Sequence, residues 1–198
     1  MDLLEYIPRA QQVLKHYNIT FLSPKEWVML VQYGSLKSYK KGENFITANQ
    51  LNTKIAFILK GGFRLFYEKN DNEITCLLAF ENGLVGSFES NILKQPCTQT
   101  IQAIEESELF IVDYRDLEKL YDKSPKFERV GRLIVEYYLA FLQQRITSYL
   151  LDTPEERYLR LINETPDILN RVPLQYIASY IGVTPVSLSR IRKRILKK

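Results

Sequence analysis

The chain has 198 residues, a formal net charge of +4, 45% hydrophobic and 25% charged residues, ordinary values for a globular protein with room for one larger and one smaller domain. It has no run of 18 apolar residues, which excludes a spanning helix, and no membrane partner is expected; Asp2 and the lack of a long apolar N-terminal core argue against a signal peptide, so a cytoplasmic protein is expected. Cys76 and Cys97 are too few for a disulfide framework or an iron–sulfur cluster and read as buried free thiols, and His16, the only histidine, excludes a multi-histidine metal site.

Ser/Thr-Pro pairs punctuate the chain. Ser23-Pro24, Ser124-Pro125, Thr153-Pro154, Thr165-Pro166 and Thr184-Pro185 each place a capping hydroxyl before a residue suited to the first helical position. Glu26 and Glu156 complete two capping boxes. After a helix over much of residues 2–17, helices are predicted at about 24–33, 125–151, 154–163, 166–170, 173–181 and 185–196.

Between residues 36 and 113 the period changes. Ile55–Lys60 and Phe63–Glu68 are β-prone runs joined at Gly61-Gly62 and read as a hairpin. Further runs lie at 45–47, 74–80, 98–103 and 109–113, with turn signals at Lys41-Gly42, Asn70-Asp71-Asn72 and Glu81-Asn82-Gly83. Many short strands with regular turns suggest a barrel or jelly roll. A short helix near Arg115–Tyr121 closes it.

The helix at 125–151 is about 40 Å long at roughly 1.5 Å per residue. Its apolar positions cover more than one stripe, so it needs cover on two sides. One side can meet the β-domain. The other calls for a second chain, giving a homodimer with Val130, Ile134, Tyr137, Tyr138 and Phe141 at the interface. Cover by the chain's own C-terminal helices is the other arrangement. A two-fold dimer also presents two equivalent copies of whatever follows this helix.

From Val172 the sequence has the pattern of a helix-turn-helix. Leu174, Ile177, Ala178 and Ile181 form one apolar stripe, Gly182 fits the turn, and Thr184 caps a second helix. Leu188, Ile191 and Ile195 face back to the first helix. Val186, Ser187, Ser189, Arg190, Lys193 and Arg194 face out and, with Thr184, are the candidate DNA contacts. Early residues of such a helix meet base edges and later basic ones meet phosphate. Arg190 suits guanine O6 and N7, and Val186 suits a thymine methyl. Residues 184–198 hold six cations and no acid, so the positive field is local to this helix. A solvated basic tail is the plainer reading.

In order and spacing these parts resemble the cyclic-AMP receptor protein/fumarate-nitrate regulator (Crp/Fnr) family of bacterial transcription factors. The resemblance covers nearly the whole chain. Its carriers are Tyr39-Lys40-Lys41-Gly42-Glu43, Ile58-Leu59-Lys60-Gly61-Gly62-Phe63-Arg64-Leu65 and Ala103-Ile104-Glu105-Glu106-Ser107-Glu108-Leu109. It implies an α+β fold: a cyclic-nucleotide-binding-like β-roll domain with N-terminal helices (1–123), a dimerisation helix (124–151) and a helix-turn-helix domain (152–198). Only residues 165–172 precede the helix-turn-helix and only Lys197-Lys198 follow it, so full wings do not fit. The implied function is sequence-specific regulation of transcription at a palindromic site on double-stranded DNA, with RNA polymerase as a partner.

The effector region departs from the family pattern. Cyclic-nucleotide members carry a ribose-binding Glu and a phosphate-binding Arg; the matching positions here are Ser87 and Cys97. A phosphate without a cation is costly to bury. Gly86, Ser87, Phe88, Glu89, Cys97 and Thr98 are therefore a candidate pocket for a small-molecule effector other than cAMP, or for none. No cofactor or metal is implied, and no catalytic motif is present, so an enzyme is not expected. The alternative is a ligand-binding or protein-interaction module whose helix-turn-helix does not bind DNA.

Overall fold

The computed structural model describes residues 6–196; Met1 to Glu5, including the start of the expected first helix, and the Lys197-Lys198 tail lie outside the described residues. Two helices, α1 (Ile7–His16) and α2 (Pro24–Gln32), precede a β-roll. Its strands are β1 (Gly34–Tyr39), β2 (Asn44–Ile46), β3 (Lys54–Lys60), β4 (Phe63–Lys69), β5 (Asn72–Ala79), β6 (Leu84–Gly86), β7 (Thr100–Ala103) and β8 (Ser107–Asp113), with α3 (Phe88–Leu93) between β6 and β7. α4 (Tyr114–Lys123) leads into the long α5 (Pro125–Leu151). The chain ends in α6 (Pro154–Glu164), α7 (Ile168–Arg171), α8 (Leu174–Tyr180) and α9 (Pro185–Ile195).

Most helices start where their caps put them. Ser23 Oγ accepts from Glu26 N–H while the Glu26 carboxylate accepts from Ser23 N–H at 2.7 Å. Thr153 and Glu156 repeat this reciprocal pairing at α6, satisfying two otherwise orphaned donors. Thr165 does not cap α7, which begins three residues later behind Asp167.

The strands form two four-stranded sheets, ordered β1-β8-β3-β6 and β2-β7-β4-β5. The hairpin expected at Gly61-Gly62 is not formed. β3 pairs with β6 and β8, whereas β4 pairs with β5 and β7. Gly61, at φ +86°, instead carries the chain from one sheet to the other, and a Cβ there would lie 2.2 Å from Ser107 Oγ. The hairpin comes one step later, between β4 and β5. Asn70 and Asp71 close it at φ 51° and 59°, as a two-residue type I′ turn requires.

The first sheet is apolar on both faces, because successive side chains alternate across it. Ala56, Ile58, Leu109 and Ile111 point into the roll, where Phe63, Leu65, Leu77 and Ile101 of the second sheet meet them. Ile55 and Leu84 point the other way, into a second core with Leu14, Trp27, Leu120 and Phe127 from the helices. A third core joins the roll to the C-terminal helices: Leu78 and Ile104 pack with Ile168, Ile177, Ile181 and Leu188. Each such fully buried aliphatic side chain contributes about 1.5–3 kcal/mol.

Polar contacts reinforce that junction. Thr75 N–H on β5 donates to Ser179 Oγ of α8 at 2.8 Å. Arg171 donates to both Glu81 and Glu105 and stacks over Phe80. Burial opposes its charge, but these two carboxylates hold the guanidinium pKa above its ordinary value. Arg145 of α5 donates to the carbonyls of Cys76 and Tyr180 at 3.2 Å each. The C-terminal helices are thus seated on the roll by one apolar core and several arginines.

Candidate nucleic-acid interface and effector region

The turn between α8 and α9 is built from backbone bonds. Val183 N–H donates to Ala178 O at 2.9 Å and Gly182 N–H to Ser179 O at 3.0 Å, the two bonds of a Schellman close. Gly182 occupies the left-handed position at φ +76°, with Tyr149 3.1 Å from where a Cβ would stand. Arg157 Nε caps the Ile181 carbonyl at 2.9 Å. Thr184 then starts α9, its hydroxyl accepting from Ser187 N–H at 3.2 Å. Leu188 and Ile191 are buried against Ile177, Ala178 and Ile181. Leu174, expected in the same inward stripe, is 43% exposed, because it stands in the first turn of α8, outside the third core.

What α9 turns outward is basic and polar. Val186, Ser189, Arg190 and Lys193 are exposed and Ser187 is half-buried. Arg190, Arg192 and Lys193 form no ion pair among the described residues. Arg194 differs: its Nε lies 2.7 Å from the Glu155 carboxylate of α6. Its charge is largely matched within the chain, which weakens its case as a phosphate contact. Thr184 Oγ also donates to Ser187 Oγ at 3.0 Å, so both hydroxyls are engaged in the cap.

On α5 the five expected interface residues divide. Val130 and Ile134 are 6% and 8% exposed and belong to the second core; the chain itself covers them, so they offer no surface to a partner. Phe141 packs against the roll interior, and Tyr138 lies between it and Phe88. Tyr137 is 45% exposed and meets His16 and Tyr17 edge-on, its hydroxyl 3.1 Å from His16 Nε2. The uncovered apolar surface is a different stripe: Val135, Leu139, Leu142, Ile146 and Tyr149 are exposed. Their steps of four, three, four and three follow a coiled-coil seam.

Around the six effector-region residues most polar groups are bonded within the chain, with Asn91 Oδ1 unpaired among the described residues. β6 ends at Gly86, and Ser87 caps α3 by accepting from Ser90 N–H at 3.2 Å. Asn91 Nδ2 donates to Ser87 O, and Asn52 N–H donates to Ser90 Oγ. Thr98 Oγ donates to the Glu89 carboxylate at 3.0 Å. Cys97 is fully buried, and its thiol donates to the carbonyls of Thr47 and Gln50 at 3.2 and 3.1 Å. No member of the set is a cation. Cys76, expected to be buried, is only partly so; burial still pushes its thiol up to about 11, so it stays protonated at neutral pH. Among the described residues no cluster of three or more His, Cys, Asp or Glu suits a metal, and no helix is long and apolar enough to cross a membrane.

Residues 36–124 match the cyclic nucleotide-binding domain family. Cyclic GMP-binding protein C of Dictyostelium discoideum is 29% identical over 108 residues, which make up 53% of this chain but only 4% of that protein. Among solved structures, the c-di-GMP responsive global regulator CLP of Xanthomonas campestris superposes with a TM-score of 0.70 at 15% identity, over 88% of this chain and 92% of that one. A CooA variant from Carboxydothermus hydrogenoformans gives a TM-score of 0.66 at 16% identity, over 93% and 84%. The β-roll is therefore similar to cyclic nucleotide-binding domains, and the likeness in fold extends through the long helix into the C-terminal helices.

Proposed function

We propose that this chain is a sequence-specific DNA-binding transcription regulator that acts as a homodimer. The observation that carries the reading is the outward face of α9, where Arg190 and Lys193 stand free beside Val186 and Ser189 on a capped helix. Such a face suits the major groove, with Val186 and Arg190 near base edges and Lys193 near phosphate. The fold shared with a global regulator supports it. The seam of Val135, Leu139, Leu142 and Ile146 supplies the dimer contact, replacing the inward positions Val130 and Ile134.

Two copies so joined present two α9 helices to a palindrome, with RNA polymerase as the partner that reads the result. That none of the six candidate effector residues is a cation supports an effector other than cAMP, or none. The test is selection of random duplex DNA on the purified protein without ligand. Enrichment of a palindrome with half-sites about 34–36 Å apart is the expected result. No enrichment, with or without added metabolites, moves the assignment to a binding module that does not contact DNA.

A further inference from the structure

The second core is not filled. Between the outer face of the β1-β8-β3-β6 sheet and the helices lies a cavity of about 450 Å³, within the size range of small-molecule sites. Ile55, Phe57 and Val112 form its floor, and Ala10, Leu14 and Ile134 part of its roof. From the stretch Gly86 to Thr98 it takes Phe88 and Ile92 of α3 as lining, and none of the other candidate effector residues.

Three features point to a ligand. The lining is almost wholly apolar, so ordered water would find few of the two to four polar partners it needs. Tyr6 also lines the cavity; it is 6% exposed and its hydroxyl has no hydrogen-bond partner among the described residues. A buried hydroxyl left unpaired is costly, and a ligand oxygen would relieve it. At the rim, Ile92 and Val135 are 63% and 51% exposed, an apolar approach beside the charged Glu128 and Arg132.

We infer that this cavity is a binding site for an apolar small molecule, chain- or ring-shaped, carrying a single oxygen function that bonds Tyr6. The site does not depend on the DNA-binding reading, since occupancy is measured without DNA. It does share a wall with the α5 seam: Ile134 lines the cavity and Val135 stands on both. A bound molecule can therefore bear on how α5 is presented to a second copy.

The test uses the full chain with 1-decanol and decanoate as probes, read by calorimetric titration and thermal shift. Saturable binding of one probe per chain is expected. Tyr6→Phe should weaken it about five- to tenfold while raising the melting temperature of the free protein. Ala10→Phe, which fills the cavity, should abolish binding and keep the fold by circular dichroism; Leu117→Trp serves if that variant is unstable. Neither probe binding, binding unchanged in both filled variants, or binding that appears only when residues 1–5 are deleted would each overturn the proposal.

Discussion

The guanidinium of Arg64 lies 3.8 Å from the ring centre of Tyr176 and 4.0 Å from that of Phe66. Arg64 is on β4 and Tyr176 on α8, so one side chain belongs to both the roll and the C-terminal helices. It is 2% exposed, and its fork also meets Gln102 Oε1 at 2.7 Å and Glu73 at 2.6 Å. A cation that far from water needs this full set of partners.

Removing the Tyr176 ring should therefore cost more than its apolar area. Tyr176→Ala is expected to destabilise the protein by about 2–3 kcal/mol, and Tyr176→Phe, which keeps the aromatic face, by under about 0.5 kcal/mol. Urea denaturation of the three proteins gives the comparison. Equal losses for the two variants would mean that the hydroxyl, not the stacking, holds the junction.

Stability should depend on pH through the capping box of α2. Hydrogen bonds from the Ser23 backbone, then its hydroxyl, then Lys126 lower the Glu26 carboxyl from 4.5 to about 2. A folded-state pKa below the unfolded one means the ionised group stabilises the fold fully above about pH 4.5, and that contribution is lost as pH falls toward 2. The stability gap between the wild type and Glu26→Gln should be constant at pH 6–7 and shrink between pH 4.5 and 2. Urea midpoints at pH 6, 4 and 3 measure it; a gap that ignores pH would show that the cap works without its charge.

The two faces of α5 should respond oppositely to one substitution. Leu139→Glu, at 63% exposure, is expected to leave the fold intact and shift the protein to monomer by analytical ultracentrifugation. Val130→Glu, at 6% exposure, should destabilise the chain by several kcal/mol, roughly the cost of an unpaired charge in a core. A Leu139→Glu protein that stays dimeric would place the interface elsewhere.

On α9, Lys193→Ala should weaken DNA binding about equally across sequences and reduce the slope of log K against log salt by about 1. Val186→Glu should instead change the selected base at one position in each half-site. Arg194→Ala should cost less than Lys193→Ala, because Arg194 is held by Glu155. Filter-binding titrations from about 50 to 200 mM salt separate the three.

Where the sequence was legible, a local chemical reason stood behind it. Ser/Thr-Pro caps marked the starts of α2, α5, α6 and α9 because hydroxyl, ring and carboxylate act within four residues. The two β-prone runs around Gly61-Gly62 were equally visible, but not their partners: pairing is decided by residues more than forty positions away, such as Leu109 and Phe110 opposite Ile58 and Phe57. β1, β6 and α3 carried too little apolar periodicity to be seen. On α5 the sequence showed that two sides needed cover but not which side the roll would take. A strict four-three count gives the Val135–Tyr149 seam; the aromatic bulk of Tyr137, Tyr138 and Phe141 drew attention away from it. The burial of Arg64 and the unpaired hydroxyl of Tyr6 are not legible in the sequence, since their meaning lies in what surrounds them.

The bond from Thr75 to Ser179 has a further consequence. β5 (Asn72 to Ala79) is the last strand of its sheet. A bare margin of that kind invites strands of other molecules to add on. Here a helix lies along it and a serine occupies one of its donors, so the C-terminal helices stand where an added strand would pair. A roll expressed without them should be prone to aggregate, however well its interior is packed.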